Sequence, residues 1–410
     1  MRILICYPWL ELGGAPKTAI TLAKGLKERG HQVYFFSKKG GMYESLLKKA
    51  DIPLISAPYN SFLPHLFHLN TRAYRILKRT VEKYSIDIIH AFHPISYFLS
   101  LFFAPGKDIP VLYTVVGPQD RWPYPAYPGR IMFVAEEFKD QSEPFLGRYS
   151  KERIVLPNRV DLDRFGKDVD WSDFAMKKGL PEEGVKIAFM SRLGHTKEKS
   201  VFYSMDATEI LVERGFMTTL VIAGDGPSYS RLLEHAKKIN DKYSRNLIIF
   251  IGKTSKTSEL MSWADIVLGI GRCAFEGMAT SKPTLIVGET GLAGVVHRDN
   301  VKELQYYNFA GRNVKKEQDP VLLADSIEEI MNDSRKYKEL AAFSREYIIE
   351  NYGYREGVLR LEDIYKKALE DKRLSFYEKV RTLITNFSYG FCRSAYIAMI
   401  VKIKDIFSRD

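Results

Sequence analysis

The stretch Ala264–Gly294 constrains the fold more than any other part of this 410-residue chain. It contains an apolar run at Ile266–Leu268, a loop with two glycines, a helix predicted to begin at Phe275, and a second apolar run at Thr284–Val287. Both apolar runs have the length and β-branched content of strands. A strand, a glycine loop and a helix in this order direct free N–H groups toward an anion at the helix N-terminus. The stretch therefore predicts an α/β domain that binds a phosphate-bearing ligand, most often a nucleotide diphosphate.

Two ligand classes fit this stretch. Gly269 to Ala274 fits the dinucleotide pattern G-x-G-x-x-G/A, and Glu289 follows about 20 residues after Gly269, which together predict an NAD-dependent oxidoreductase. However, a dinucleotide fingerprint normally follows the first strand of its domain, and this one comes late in an α/β half that begins near Lys186. In the second interpretation the ligand is another nucleotide, and Glu276 on the first turn of the helix accepts hydrogen bonds from its ribose diol.

The spacing of the cysteines and the lengths of the apolar runs exclude several classes of protein. Three widely spaced cysteines without a CxxC pair indicate a reducing compartment and argue against a disulfide scaffold or a zinc site. Because no run of about 18 apolar residues occurs, we expect no membrane-spanning helix. The first apolar run, Ile3–Tyr7, is typical of a strand and too short for a secretory signal. We expect a cytoplasmic protein of about two to three domains, with the inner face of the membrane as an alternative place of action.

The net charge of +11 is distributed unevenly. Residues 1–160 hold 22 Lys and Arg against 13 Asp and Glu, residues 161–371 hold 31 against 34, and residues 372–410 hold 8 against 3. No RRM, KH or zinc-finger signature accompanies the basic segments, so we do not expect nucleic acid as a partner. An anionic membrane surface or a phosphorylated acceptor fits the charge better.

Two basic segments have an amphipathic pattern. In the first, four cations recur at helical spacing after the apolar residues Phe62, Leu63, Leu66 and Phe67: Arg72, Arg75, Lys78 and Arg79. This pattern predicts either a helix that binds a membrane surface or an ordinary solvated helix. In the second, the apolar patch Ala395–Val401 is flanked by Arg393, Lys402 and Lys404, which predicts an interfacial helix or an oligomer contact.

The first half alternates strands with helices, which predicts a parallel sheet with helices on both faces. The predicted strands are Ile3–Tyr7, Gln32–Ser37, Pro53–Ser56, Ile86–Ala91, Val111–Val115, Ile131–Val134 and Ile154–Leu156. Ligands of such sheets bind beyond the carboxyl ends of the strands. This places Gly13, Gly14, His90, His93 and Gly117 on the ligand side.

Three segments of the second half have a distinctive pattern. Glu276–Pro283 reads EGMATSKP, Arg192-Leu193 is followed by Lys197, and Gly224–Pro227 reads GDGP. These segments resemble the E-A-M-A-x-G-x-P, R-L-x-x-x-K and G-D-G-P motifs of the retaining glycosyltransferases of family 4. Leu268 stands where the family has the first Glu of its E-x7-E pattern, which in the family helps to hold the donor sugar.

Segments of the first half resemble the same family, and the resemblance extends over about residues 1–371. A Gly-Gly loop precedes a helix ending in RGHQV, IDIIHAFHP is similar to D-x-x-H-x-H with one extra residue, and LPNRVD is similar to P-N-G-V-D with Arg159 in place of glycine. Thr114–Gly117 resembles T-x-H-G, but Val116 replaces the histidine that faces the donor sugar in the family.

The resemblance implies two facing doubly wound Rossmann-like domains with a cleft between them, the GT-B arrangement, and a C-terminal helix that crosses back to the first domain. We accordingly predict an acceptor-binding domain at 1–170, a linker at 171–184, a nucleotide-sugar-binding domain at 185–350, the crossover helix at 351–371 and a basic amphipathic tail at 372–410.

The resemblance also assigns roles to residues. Arg192 and Lys197 would bind the diphosphate and offset the charge that develops as the glycosidic bond breaks, and Glu276 would bind the ribose. Further donor-binding candidates are Gly13, Gly14, Gly224, Gly252, Gly271, Arg272, Cys273 and Ala274. Candidates on the acceptor side are Lys17, His90, His93 and Gly117.

The implied activity is a hexosyltransferase-type transfer in polysaccharide biosynthesis. A sugar would move from a nucleotide donor, a UDP-sugar above others, to a lipid-linked or other glycan acceptor with retention of configuration. Because no Asp-rich metal motif is visible, we expect neither a metal nor a cofactor. Since Leu268 and Val116 replace two family residues, a non-catalytic member of a glycan-synthesis complex is the alternative.

Overall fold

A computed structural model describes residues 1–11, 13–59, 70–117, 124–146, 149–166, 168–288, 291–314, 319–371 and 373–407. The chain divides into two compact units. The first unit comprises Met1–Arg159 and Tyr354–Asp410, and the second comprises Val160–Gly353. Both units are α/β, as the alternation of the sequence predicted.

The described residues of the first unit form a seven-stranded parallel sheet. Its strands are β1 (Arg2–Cys6), β2 (Gln32–Ser37), β3 (Leu54–Ser56), β4 (Ile88–Ala91), β5 (Val111–Val115), β6 (Arg130–Phe133) and β7 (Glu152–Val155), in the spatial order β3-β2-β1-β4-β5-β6-β7. The strands β4, β5 and β6 are buried along their whole length, because helices cover both faces of a parallel sheet. The helices of this unit are α1 (Gly14–Glu28), α2 (Glu44–Lys49), α3 (Thr71–Lys83), α4 (Pro94–Leu101), α5 (Glu136–Leu146), α14 (Tyr354–Glu370) and α15 (Phe376–Phe407).

The chain returns to the first unit through α14, which packs against α1. The contact is close at Gly25, where a Cβ atom would lie 2.4 Å from Val358 and 3.2 Å from Tyr354. Glu362 of α14 is buried and accepts a hydrogen bond of 2.7 Å from Arg29 at the end of α1. The prediction that the C-terminal helix joins the first domain is confirmed.

The described residues of the second unit form a six-stranded sheet. Its strands are β8 (Val185–Met190), β9 (Thr218–Ala223), β10 (Ile248–Gly252), β11 (Ile266–Gly269), β12 (Thr284–Gly288) and β13 (Gly291–Val295), in the order β10-β9-β8-β11-β12-β13. Only the pair β12 and β13 is antiparallel among these described strands. The helices are α6 (Ser172–Lys178), α7 (His195–Glu213), α8 (Tyr229–Tyr243), α9 (Thr257–Trp263), α10 (Arg272–Ala279), α11 (Val301–Tyr306), α12 (Pro320–Asn332) and α13 (Ser334–Tyr352).

Two elements of the second unit differ from the prediction. Strand β13 was not predicted, because its sequence GLAGV contains two glycines and lacks the alternation typical of a strand. Helix α10 begins at Arg272, three residues before Phe275, since the turn into the helix is completed at Gly271. The early start brings Arg272 onto the helix itself.

The boundary between the units lies at Arg159 and Val160. The segment predicted as a linker, 171–184, contains helix α6 and belongs to the second unit. Within that unit, the backbone N–H of Val160 donates to Tyr352, and Val160 forms an isolated parallel bridge with Gly353. The two ends of the second unit therefore lie side by side. Among the described residues, no helix is both long and apolar enough to cross a bilayer.

Candidate active site

Each sheet contains one topological switch point, where successive connections leave in opposite directions. In the second unit this point lies between β8 and β11, because β9 and β10 follow on one side and β12 on the other. In the first unit it lies between β1 and β4. Ligands of open α/β sheets bind in the crevice beyond the carboxyl ends of the strands at such points. The loops that follow β8 and β11, and those that follow β1 and β4, are therefore the candidate binding loops.

The loop after β8 holds Arg192 and leads into α7. Arg192 is exposed, and Lys197 lies on the first turn of α7, whose N-cap is Gly194. The N-terminus of a helix is positive, so two cations beside it concentrate positive potential rather than neutralise it. An anion such as a diphosphate would offset this potential. The structure thus places Arg192 and Lys197 at one helix N-terminus.

The turn after β9 is interlocked with the Arg192 loop. A Cβ atom on Gly224 would lie 1.8 Å from the carbonyl oxygen of Ser191, and one on Gly226 would lie 2.3 Å from that of Leu193. Backbone hydrogen bonds join the same segments, from Leu193 to Asp225 at 3.0 Å and from Ser228 to Leu193 at 3.0 Å. Gly224 was predicted to bind the donor. The geometry instead makes it the residue that lets the Arg192 loop approach.

Glu198, which the sequence motifs did not single out, fixes the first turn of α7. Its carboxylate is buried and accepts a hydrogen bond of 3.0 Å from Ser228, and it lies 2.8 Å from Arg231 of α8. In the sequence, only its position directly after Lys197 indicated that it lies close to the site. The pairing holds the helix end that carries Lys197 against the turn after β9.

The loop after β11 turns sharply at Gly271, whose φ of 55° is left-handed. The Gly271 N–H donates to the carbonyl of Phe309 at 2.8 Å, and the Cys273 N–H donates to Ile270 at 3.2 Å. We predicted that these amides bind the donor, but both are engaged within the unit. Ala274 is fully buried in the core, so its side chain does not face a ligand.

Arg272 and Glu276 are paired on α10. Their side chains are one turn apart, 3.6 Å from each other, with exposed fractions of 10% and 2%. The pair links Glu276, which lies on the second turn of α10 and not on the first as predicted, to Arg272 at the start of the helix. A carboxylate held in this way can accept the two hydrogen bonds of a ribose diol.

Three departures from the family motifs have structural explanations. Leu268 lies inside β11, fully buried opposite Phe189, so an apolar side chain suits its position. A Cβ atom on Gly277 would lie 2.7 Å from Val267, and the glycine therefore lets α10 approach β11. Ser281 has a φ of 58°, the left-handed conformation that explains why the motif has glycine there.

Gly252 ends β10 with a φ of 67°, and its carbonyl accepts the Gly224 N–H at 2.9 Å. The next residue, Lys253, lies 3.1 Å from Asp225. The hydrogen bond from Lys253 lowers the pKa of Asp225, and the Gly226 N–H adds to the effect. The turns after β9 and β10 are thereby joined beside the Arg192 loop.

In the first unit, three half-buried rings cluster beyond the carboxyl ends of β1 and β4. The ring of Trp9 lies 6.4 Å from Tyr7 and 5.2 Å from His93, and Tyr7 and His93 are 5.9 Å apart. His93 also caps α4, where its Nδ1 accepts the Ile95 N–H at 3.2 Å. Only His93 was predicted from sequence. Tyr7 and Trp9 follow the first strand directly, which was the signal that could have identified them.

Gly13 and Gly14 lie at the start of α1, with Gly13 as its N-cap. Lys17 is on the first turn of that helix and is buried, with 8% exposure. Next to it, Thr18 donates a hydrogen bond of 2.7 Å to Asn158. Gly117 lies just beyond β5, next to the half-buried Val116 that replaces the family histidine and packs against the core.

His90 is a correction to the prediction. Its ring is fully buried, with Nδ1 2.6 Å from the Tyr365 hydroxyl and Nε2 2.7 Å from Thr114. Burial lowers the pKa of His90 to about 3, so the ring is neutral. Since both nitrogens are engaged inside the first unit, His90 joins α14 to the sheet and does not face a ligand.

The basic segment forms α3, and Arg72, Arg75, Lys78 and Arg79 are all exposed. The apolar residues predicted beside it, Phe62, Leu63, Leu66 and Phe67, lie outside the described residues. So do the side chains of residues 396–401, which would test the predicted patch Ala395–Val401, and those of Arg393, Lys402 and Lys404.

Comparison with known proteins gives a consistent result. The chain matches Glycosyltransferase Family 4 over residues 12–164 and Glycosyl transferases group 1 over residues 184–333. It is 22% identical over 306 residues to EpsD of Bacillus subtilis (strain 168), which is named as a glycosyltransferase, covering 68% of this chain and 76% of EpsD. A glycosyltransferase from Rickettsia africae ESF-5 has a TM-score of 0.67 at 19% identity, over 90% of this chain and 99% of that one. Anabaena Alr3699/HepE in complex with UDP and glucose has a TM-score of 0.67 at 17% identity, over 89% and 99% of the two chains.

Two Rossmann-like units, each with one switch point in its sheet, define the GT-B class of fold. The chain belongs to glycosyltransferase family 4, a retaining family, and is a nucleotide-sugar glycosyltransferase. This membership decides against an NAD-dependent oxidoreductase. Glu289, which that interpretation required, lies outside the described residues.

Proposed function

We propose that this enzyme transfers a sugar from a UDP-sugar to a lipid-linked or cell-surface glycan acceptor, with retention of configuration. The observation that carries the proposal is the convergence of the Arg192 loop and α10 at the switch point of the second unit. The HepE structure, which has the same fold, contains UDP and glucose and supports UDP as the nucleotide.

On the donor side, the diphosphate would lie at the N-terminus of α7. Arg192 offers a planar fork of donors and Lys197 a compact charge, and both would stabilise the negative charge on the departing nucleoside diphosphate. Glu276, held by Arg272, would bind the ribose diol. Arg192 and Lys197 would interact more strongly with the departing diphosphate than with the intact donor, which is the condition for lowering the barrier. Glu276 would contribute to donor binding, because the ribose hydroxyls carry no charge that develops during transfer.

On the acceptor side, the rings of Tyr7, Trp9 and His93 would contact the acceptor. The C–H face of a sugar ring is apolar and packs on an aromatic side chain, whereas its hydroxyl groups need polar partners nearby. Lys17 would add a positive charge there. The excess of basic residues in 1–160 favours an acceptor with a phosphate group, such as a lipid-linked glycan.

A thermal-shift panel of UDP, GDP, ADP, NAD and several nucleotide sugars tests the donor part. We expect UDP and one UDP-sugar to raise the melting temperature of the wild type, and to fail to do so in Arg192→Ala and Glu276→Ala. Lys237→Ala, on the exposed face of α8, is the matched control and should respond like the wild type.

The outcomes separate the alternatives. If only GDP or ADP raises the melting temperature, the donor carries that nucleotide and not UDP. If only NAD raises it, the proposal is overturned. A response to UDP without hydrolysis or transfer of any UDP-sugar would favour a non-catalytic member of a synthesis complex.

A further inference from the structure

Helix α15 docks on the first unit through polar side chains. Thr382 and Asn386 are fully buried, and they donate hydrogen bonds to the carbonyls of Ala126 at 3.1 Å and Phe98 at 3.0 Å. Thr385 accepts the Ala126 N–H at 2.9 Å. Most helices at the surface of a soluble protein bury their apolar face instead.

Large apolar side chains in the first part of α15 are exposed. Five large ones recur at helical intervals over little more than three turns, with exposed fractions of 84%, 70%, 39%, 60% and 58%: Phe376, Tyr377, Leu383, Ile384 and Phe387. Residues that follow one another at three, four and seven positions share one side of a helix. We call these five residues the α15 apolar face. It lies upstream of the patch that the sequence suggested and outside both family matches.

The segment that carries this face is basic. Residues 372–410 hold 8 Lys and Arg against 3 Asp and Glu. Both α15 and the basic helix α3 pack against α4, so the apolar face and the exposed cations of α3 belong to the same unit. An apolar helix face accompanied by cations is the combination that binds anionic lipid surfaces.

The size of the face also favours lipid over a second copy of the chain. A fully exposed aromatic side chain has a surface area of about 150–250 Å². With the exposed fractions given above, the five side chains of the α15 apolar face expose roughly 500 Å² in total. A stable dimer interface buries about 800 Å² on each partner. The largest apolar patch on a typical monomer measures about 300–600 Å² and is often functional, and a patch of this size is sufficient for shallow insertion into a bilayer.

We infer that the α15 apolar face inserts into the interfacial region of an anionic bilayer. This deepens the proposed function, because it would hold the enzyme at the surface where a lipid-linked acceptor is found. The inference concerns lipid binding alone, so it can succeed or fail independently of the transfer reaction.

The test is co-sedimentation of the full chain, without donor or acceptor, with vesicles of equimolar phosphatidylcholine and phosphatidylglycerol. The variant Ile384→Glu/Phe387→Glu leaves the docking residues Thr382 and Asn386 in place. We expect it to lose vesicle binding by about tenfold or more, because two charged side chains replace the inserted ones. The control is Val321→Glu/Leu322→Glu on α12, whose residues are 42% and 50% exposed, and it should bind like the wild type.

Two further measurements are vesicle binding at high salt and the oligomeric state of the wild type and the variant. In about 0.5 M salt the wild type should bind more weakly but measurably, since apolar insertion is not screened. Unchanged binding by the α15 variant, in a protein with wild-type melting behaviour, would overturn the inference. So would a wild type that forms a dimer without binding vesicles while the variant is monomeric, because the face would then contact a second copy.

Discussion

The Arg272 guanidinium lies 3.6 Å from the Glu276 carboxylate, one turn away on the same helix, and both side chains are nearly excluded from solvent. The pair is possible because α10 begins directly after the left-handed turn at Gly271, which places Arg272 on the first turn. A helix that began at Phe275 would leave Arg272 in the loop. The early start of α10 thus decides how the candidate ribose ligand is oriented.

Glu276→Gln should weaken binding of UDP by about tenfold or more, because a hydrogen bond to a charged group contributes about 1.5–3 kcal/mol and the amide lacks the charge that pairs with Arg272. Isothermal titration with UDP measures the change. Glu183→Gln, in the exposed loop before β8, should bind like the wild type. If Glu276→Gln binds UDP normally while Arg192→Ala does not, Glu276 has only a structural role.

Gly224→Ala should displace the Arg192 loop, since the new methyl group would lie 1.8 Å from the Ser191 carbonyl oxygen. We expect a loss of about 1–3 kcal/mol in the free energy of unfolding, together with weaker UDP binding. Gly106→Ala is the matched control, because nothing lies within 4 Å of its Cβ position and it lies outside the proposed donor site. Equal stability of the two variants in urea denaturation would contradict the interlocked arrangement.

Ser281→Gly should stabilise the protein, because Ser281 has a φ of 58° that costs an L-residue about 1–2 kcal/mol. Glycine adopts this conformation without the cost, although it loses more entropy on folding, so we expect a net gain of about 0.5–1 kcal/mol. Ser172→Gly, within α6, should instead destabilise. Thermal melting distinguishes the two signs.

The stability of the protein should fall as pH decreases below about 6.5, the pKa of an unperturbed histidine. His90 is buried as a neutral ring with a pKa lowered to about 3, so between these values the unfolded chain binds the proton and the folded chain does not. The contribution of the neutral His90 ring to the free energy of unfolding is complete above pH 6.5. At pH 5 this free energy is lower by about 2 kcal/mol. His90→Gln should flatten the dependence of the free energy of unfolding on pH between 5 and 7, as measured by urea denaturation across that range.

Reversing the charges of Arg72, Arg75 and Arg79 to Glu should abolish sedimentation with anionic vesicles at low salt. Each cation near an anionic surface contributes about 1 kcal/mol, and reversal replaces attraction with repulsion. The control reverses exposed cations of the second unit, Lys237 and Lys238 on α8. Sedimentation that is unaffected by the α3 changes would show that α3 is an ordinary solvated helix.

The sequence by itself determined the class of fold, the motif positions and the strands of the first unit to within about two residues at each end. Apolar runs such as Gln32–Ser37 and Val111–Val115 are local signals, and the structure has both strands with these bounds. That Arg192 and Lys197 lie near each other was also predictable, because only four residues separate them at the junction between a strand and a helix.

The tertiary structure decided what distant residues do to one another. In the fold, His90 forms a hydrogen bond with Tyr365, which lies 275 positions away in the sequence. His90, which was predicted to face a ligand, is therefore a core residue. The tertiary structure brought Tyr7 and Trp9 to His93, and it made Gly224 the contact for Ser191. It also placed the polar side of α15 inward and the apolar side outward. Such outcomes depend on which surfaces meet when the sheets are assembled, and a periodic pattern within one segment contains no information about the surface that will cover it.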